Sequence, residues 1–237
     1  MTARAPAAAA ATDAELAALL ADGATALGVP LAAAQRDAFV AYVRLIERWN
    51  AAYNLTAVRE PRAMVVQHVL DCLAVIEPLR RELGAGDGAR LLDVGSGAGL
   101  PGVVIAVAAP GLEVVCVDSV GKKAAFVTQV ATTLRLNNLT ALHRRVEDLP
   151  TSEPFDAVTC RAFASLADFL AATRPVLRTG GVWLAMKGKA PVEELTGLGD
   201  VEFHVEPIVV PGLDAERCLV WIRSRKSEHM LSEIASL

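Results

Sequence analysis

The sequence predicts an α/β fold: a Rossmann-like, seven-stranded, mostly parallel sheet with an antiparallel last strand and a helical N-terminal cap. Three observations carry that expectation. The N-terminal third holds only apolar patterns of helical period. From residue 90 onward, short β-rich runs alternate with helical stretches, the pattern of strand–helix–strand units. Between the last two β-rich runs the helix drops out and Pro211-Gly212 supplies a turn, so the final strand returns antiparallel.

The elements follow in order. Thr12-Asp-Ala-Glu15 spells a capping box, and Leu16, Leu19, Leu20 and Leu27 recur at helical spacing behind it. A first helix is therefore expected over 13–28, stopped by Gly28 and Pro30. A second, over 31–52, carries Phe39, Val43, Ile46 and Trp49 on one face, and a third, over 62–83, carries Val65, Val69, Cys72 and Ile76. Gly84, Gly86 and Gly88 then mark the change of pattern. Strands are expected at 90–94, 113–118, 140–145, 157–161, 182–186, 201–209 and 218–223, with helices at 101–109, 122–136, 165–178 and 190–197. The chain divides into a disordered Ala-rich tail at 1–11, a helical region at 12–84, a sheet-bearing domain at 85–226 and a C-terminal tail at 227–237.

Composition removes several classes of function. With 237 residues and 53% hydrophobic content, the chain has ample material for a globular core. Its longest uncharged apolar stretch, 99–112, contains two prolines and falls short of the roughly 20 helical residues a bilayer requires, so no membrane span is expected. The opening alanine tract has neither the apolar run nor the cleavage site of a secretory leader. Cysteines 72, 116, 160 and 218 show no C-x-x-C pair and no metal-ligand spacing. They read as buried thiols of a cytoplasmic protein without a metal. A formal charge of −4 means that any nucleic-acid contact must come from a local basic face.

The chemistry concentrates at strand ends, where doubly wound sheets hold their ligands. Leu91-Leu-Asp-Val-Gly-Ser-Gly-Ala-Gly-Leu-Pro-Gly102 is an apolar strand running into a glycine-rich turn, which lets a ligand approach the backbone and the amides opening the next helix. This predicts an adenosine-type ligand. Gly97 to Gly102 also matches the dinucleotide fingerprint G-x-G-x-x-G, with Asp118 about 20 residues on. Asp93 favours S-adenosyl-L-methionine over NAD, because a carboxylate beside the loop repels a pyrophosphate and suits an ammonium and a sulfonium. The expected antiparallel last strand likewise separates a class I methyltransferase from a dinucleotide dehydrogenase.

Further along the same edge, Asp118 either accepts from ribose hydroxyls or caps the following helix, and Val146-Glu147-Asp148 follows the third strand. Arg161 ends the fourth strand, where it holds a carboxylate or phosphate of a ligand or forms an ion pair at a sheet edge. Lys187 ends the fifth, facing a substrate phosphate or solvent. Thr159-Cys160 resembles the nucleophile of cytosine-C5 methyltransferases, but a thiol pointing into the core without a neighbouring base is inert. The Asp/Asn-Pro-Pro-Tyr/Phe loop of amine methyltransferases is missing here. His68 and Asp71, three apart, are a structural pair or a helix-to-domain contact in preference to a catalytic dyad.

Arg48-Trp-Asn-Ala-Ala-Tyr-Asn-Leu-Thr56, His68-Val-Leu-Asp-Cys-Leu73, the glycine loop, Asp118-Ser119 with Lys122-Lys123, Cys160-Arg-Ala-Phe-Ala164 and Lys187-Gly188 together resemble the RsmG (GidB) family. The resemblance runs in order from about 36 to 225. It implies methylation of guanine N7 in the decoding region of 16S ribosomal RNA, with the RNA or the small ribosomal subunit as partner. It also implies that S-adenosyl-L-methionine contacts Gly95, Leu100, Val146, Glu147 and Arg161, and that 85–226 is the methyltransferase domain. No catalytic base is assigned, since N7 already carries a nucleophilic lone pair. Cys72 and Cys160 stand where the family often has serine, and the alanine-rich start has no counterpart. The basic groups are Arg59 and Arg62, Lys122 and Lys123, Arg144 and Arg145, and Arg223, Arg225 and Lys226, of which Lys122 and Lys123 are expected nearest the mouth. Competing readings are a methyltransferase of a small molecule or protein, an NAD oxidoreductase, and a non-catalytic cofactor-binding module.

Overall fold

The computed structural model describes residues 11–84 and 88–225; the expected tails lie outside these, apart from Ala11. Strands β1 (Arg90–Val94), β2 (Glu113–Asp118), β3 (Leu139–His143), β4 (Phe155–Arg161), β5 (Leu177–Lys187), β6 (Val201–Ile208) and β7 (Arg217–Ser224) form one sheet. Its order is β3-β2-β1-β4-β5-β7-β6. The first five strands run parallel, and β7 is antiparallel to β5 and β6. Pro211-Gly212 makes the expected turn, closed by Leu213 N–H donating to the Val210 carbonyl at 3.1 Å, with Gly212 at φ 77°.

Helices α1 (Asp13–Ala26) and α2 (Ala33–Tyr53) form as the apolar spacing predicts. The capping box is complete: Glu15 N–H donates to Thr12 Oγ1 at 3.3 Å and Thr12 N–H to Glu15 Oε2 at 2.8 Å. The third expected helix is instead a broken rod: α3 (Pro61–Met64), a π-helical segment (Val65–Leu70), α4 (Asp71–Leu73) and α5 (Ile76–Leu83). Pro78 accounts for the break before α5, because it has no N–H for the Ala74 carbonyl and its ring crowds that oxygen. Beyond the first strand lie α6 (Gly102–Ala108), α7 (Gly121–Leu134), α8 (Leu166–Thr173) and α9 (Val192–Thr196). The helix expected over 165–178 gives way at Arg174–Val176 to a 3-10 turn containing Pro175. The chain then enters β5 five residues earlier than expected, through a bulge where Gly180 takes φ 77°.

Alternation along the strands splits the core in two. Leu91, Cys116, Ala157 and Leu184 face one side with Leu16, Phe39, Ile46, Leu70, Val104 and Phe126. Leu92, Val117, Val158 and Trp183 face the other with Phe169, Leu170 and Leu195. The N-terminal helices and α6 and α7 thus share one apolar layer on one side of the sheet. Between β3 and β4 the chain offers only a 3-10 turn (Val146–Asp148).

Candidate active site

The glycine loop hangs from its neighbours by backbone hydrogen bonds. Gly95 and Ser96 donate to the Val117 carbonyl at 2.9 and 3.2 Å, while Gly99 and Leu100 donate back to the Ser96 carbonyl at 2.7 and 2.9 Å. Gly95, Gly97 and Gly99 all take positive φ, where a side chain would be strained. A Cβ on Gly95 would stand in open space, so its upper surface is free for a ligand. From below, the buried Tyr42 hydroxyl of α2 donates to the Ala98 carbonyl at 2.6 Å. The N-terminal helices therefore support this loop, a role the apolar face of α2 did not reveal.

Asp93 is not a solvent-facing carboxylate beside the loop. It is 0% exposed beneath α6, where its Oδ2 accepts from Gly102 N–H at 2.9 Å and faces the Cys116 thiol at 3.8 Å. The first amide of α6 is thus taken by protein, contrary to the expectation that it faces a ligand. Oδ1 of Asp93 and Oγ1 of Thr159, adjacent across β1 and β4, have no hydrogen-bond partner among the described residues. Burial, opposed by Gly102 N–H and Arg161, pushes the Asp93 carboxyl up to about 7.

Asp118 does not cap α7, whose N-cap is Val120 without a side-chain bond, but closes the turn ahead of it. Its Oδ1 accepts from Val120 N–H at 2.8 Å, before α7, and its Oδ2 from Gly97 N–H at 2.9 Å, which ties the loop to β2. Leu100 and Val146 are buried at the ends of β1 and β3, and Glu147 is exposed beside Val146. Lys122 is exposed at the start of α7, and Lys123 lies 3.9 Å from Asp118.

Arg161 sits on a central strand, two residues beyond the Asp93–Thr159 pairing and hence against the loop. The residue after it, Ala162, takes φ 61°, a left-handed conformation that marks local strain. Arg161 Nη1 donates to Asp71 Oδ2 at 3.3 Å and to the Gln67 carbonyl at 3.2 Å. The ion-pair reading is therefore realised, though on the helical layer and away from any sheet edge. Asp71 also accepts from Arg217 Nε at 2.8 Å, a partner the sequence did not single out. His68 does not pair with Asp71: its Nε2 lies 2.7 Å from Thr56 Oγ1 and its Nδ1 2.9 Å from the Gln67 carbonyl. Burial, with Arg161 nearby, lowers His68 to about 4, so the ring is neutral at pH 7.

Lys187 is neither solvated nor free. Its Nζ meets both Glu194 oxygens at 3.0 and 3.2 Å, with 15% of the side chain exposed. Arg59, Arg62 and Arg223 are similarly held by Asn50 and Asn54, by Glu15 and by Glu82. Arg144 and Arg145 are exposed, and Lys226 lies outside the described residues. All four cysteines are free and buried, and burial raises the Cys160 thiol, so Thr159-Cys160 has no activated nucleophile. Among the described residues no three His, Cys, Asp or Glu side chains are grouped to hold a metal, and no helix is long and apolar enough to cross a membrane.

The model of the family described as "rRNA small subunit methyltransferase G" (GidB) matches residues 35–217. The chain belongs to the GidB family. The resemblance carried by the WNxxYNLT segment, the glycine loop and the Cys160-Arg-Ala-Phe run is thereby borne out. Among GidB relatives, the ribosomal RNA small subunit methyltransferase G of Paracidovorax citrulli is 54% identical over 223 residues, covering 89% of this chain and 91% of that protein. The protein of the same name from Leptothrix cholodnii is 58% identical over 205 residues, covering 86% and 93%. The solved structure of TrmN from Thermus thermophilus superposes with a TM-score of 0.50 at 18% identity, covering 65% of this chain and 48% of that one, a likeness of fold alone. The class I methyltransferase fold of this GidB member, with its antiparallel β7, is the one the sequence predicts.

Proposed function

We propose that the chain transfers a methyl group from S-adenosyl-L-methionine to N7 of a guanine in 16S ribosomal RNA, acting in the cytoplasm on the RNA or the small subunit. Membership of the GidB family over residues 35–217 carries this reading. The residues present fit the cofactor. No atom lies within 4 Å of where a Gly95 side chain would begin, so a ligand can approach bare backbone there, and the Asp118 oxygens keep lone pairs for ribose hydroxyls. Leu100 in the loop after β1 and Val146 and Glu147 in the turn after β3 are the further contacts this reading assigns, and Arg161 keeps guanidinium N–H groups beyond those on Nη1 for a carboxylate. When bound, the cofactor supplies an electrophilic methyl group on a sulfonium.

The chain's own task is positioning. Guanine N7 needs no base to deprotonate it, and a His68 ring that stays neutral above about pH 4 fits a site without one. Fixed charges at the carboxyl edge align the acceptor, and the α2-supported loop holds the donor still. Lys122 and Lys123 face the incoming RNA, whereas Lys187 could meet it only by leaving Glu194. In this reading residues 85–226 are the catalytic domain and 12–84 its helical support.

The test is methyl transfer from radiolabelled S-adenosyl-L-methionine to small subunits or naked 16S RNA lacking the modification, followed by cleavage at 7-methylguanosine. Label at one guanine is expected. Cofactor binding without transfer to either substrate overturns the reading.

A further inference from the structure

We propose that Arg217 binds a phosphate of the RNA strand entering the site, and that Asp71 is the positioning residue that holds it beside Arg161. The proposal rests on the RNA reading above. Arg217 precedes Cys218, the partner of Lys187, and so lies just past the end of β5 on the same edge as Arg161, the partner of Met186. Arg161 and Arg217 start on strands that flank β5, about 10 Å apart. Both nevertheless converge on one carboxylate: Arg217 Nε lies 2.8 Å from Asp71 Oδ1 and Arg161 Nη1 3.3 Å from Oδ2.

The charges do not balance. Asp71 is 3% exposed and the two arginine side chains 25% and 24%, so two partly desolvated cations share one buried anion. His68 is neutral at pH 7, Lys187 is paired with Glu194, and Glu216 reaches outward to Lys189 at 3.8 Å. The Asp93 carboxyl near Arg161, raised to about 7, offsets part of the Arg161 charge, whereas Arg217 has only its share of Asp71, and a partly desolvated cation so placed is better held when a further anion arrives. Unused donors point to the same conclusion. Arg217 gives Nε to Asp71 and Nη1 to the Glu216 carbonyl, and among the described residues its Nη2 has no acceptor. Arg161 lies against the cofactor loop, whereas Arg217 stands over the β5–β7 part of the edge, which the loop leaves free for the acceptor. A guanidinium fixed on one side and open on the other suits a phosphate oxygen.

The experiment measures RNA affinity across a salt series, the Kd for S-adenosyl-L-methionine, and the KM for undermethylated small subunits, in wild type, Arg217→Gln, Arg217→Lys and Asp71→Asn. Arg217→Gln is expected to lower the slope of log affinity against log salt by about 0.7–0.9, the loss of one phosphate contact. It should raise the RNA KM severalfold and leave cofactor Kd within about twofold of wild type. Arg217→Lys keeps the charge and should keep the slope, but it cannot hold Asp71 and a phosphate at once, so its RNA KM should still rise. Asp71→Asn, releasing both arginines, should weaken cofactor and RNA together, with Asp71→Glu restoring part of each. An unchanged slope in Arg217→Gln, or a cofactor defect as large as its RNA defect, overturns the proposal. If Arg217→Gln melts too low to assay, an RNA KM unchanged in Arg217→Lys overturns it, since lysine is too short to serve Asp71 and a phosphate at once. A wild type that neither binds nor methylates ribosomal RNA sinks the underlying reading instead.

Discussion

Asp93 and His68 are pulled in opposite directions by the same burial. Asp93 rises from 3.8 to about 7, so between those values the folded chain holds a proton the unfolded chain has released. Its contribution is therefore greatest in acid and is lost as pH rises through 7. His68 falls from 6.5 to about 4, so its contribution is present above 6.5 and lost as pH falls through 4. A change of one pKa unit corresponds to about 1.4 kcal/mol. Relative to Asp93→Asn, wild type should lose roughly 3 kcal/mol of stability between pH 5 and pH 8. Urea unfolding of both proteins across that range checks it, and a constant difference counts against a titrating Asp93. The Thr12→Ala change at the N-cap of α1 is simpler: loss of the capping box should cost about 1 kcal/mol, read as a fall of about 2–4 °C in Tm. At this scale the sequence was legible where chemistry is local, as at Thr12 with Glu15. It was opaque for Asp71, whose partners Arg161 and Arg217 lie 90 and 146 residues away.

Where the glycine loop enters α6 the packing leaves little room. At Gly102 an added Cβ would meet the Cys116 sulfur and lie 2.8 Å from Asp93 Oδ2, within fully buried surroundings. Gly102→Ala should therefore destabilise by about 1–3 kcal/mol and weaken cofactor binding, with Cys116→Ala in the same chain recovering part of the loss. Thermal melts and cofactor titration of the single and double variants decide it; additive effects would place the strain elsewhere. The loop and all seven strands were readable because glycine spacing and alternation express backbone requirements directly. The rod from Pro61 to Leu83 was not, because apolar periodicity continues through Val65, Val69, Cys72 and Ile76 while the backbone widens and then breaks at Ala74–Val75, one turn ahead of Pro78. A proline with a good helical pattern on both sides was outweighed by that pattern.

Across the whole molecule, the N-terminal helices pack against α6 and α7, so the apolar faces of those two helices would meet water if the N-terminal helices were removed. Residues 88–225 alone should aggregate or remain molten; a soluble fragment with a cooperative melt would refute this. With a net charge of −4, RNA attraction must be local. Replacing Lys122 and Lys123 together by Glu should raise the RNA KM while sparing cofactor Kd, and an unchanged KM would remove both from the RNA face. Sequence reading placed the sheet correctly, but left open what the helical region does, because that depends on where Tyr42 and Asp71 land in three dimensions. The Asp71–Arg217 contact also bears on how the chain is made. During synthesis the carboxylate emerges 146 residues ahead of its second arginine, a wait of roughly 7–30 s at 5–20 residues per second. For that interval the nascent helices hold a buried-type acid without its full complement of partners, until the β6–β7 hairpin brings Arg217 to Asp71.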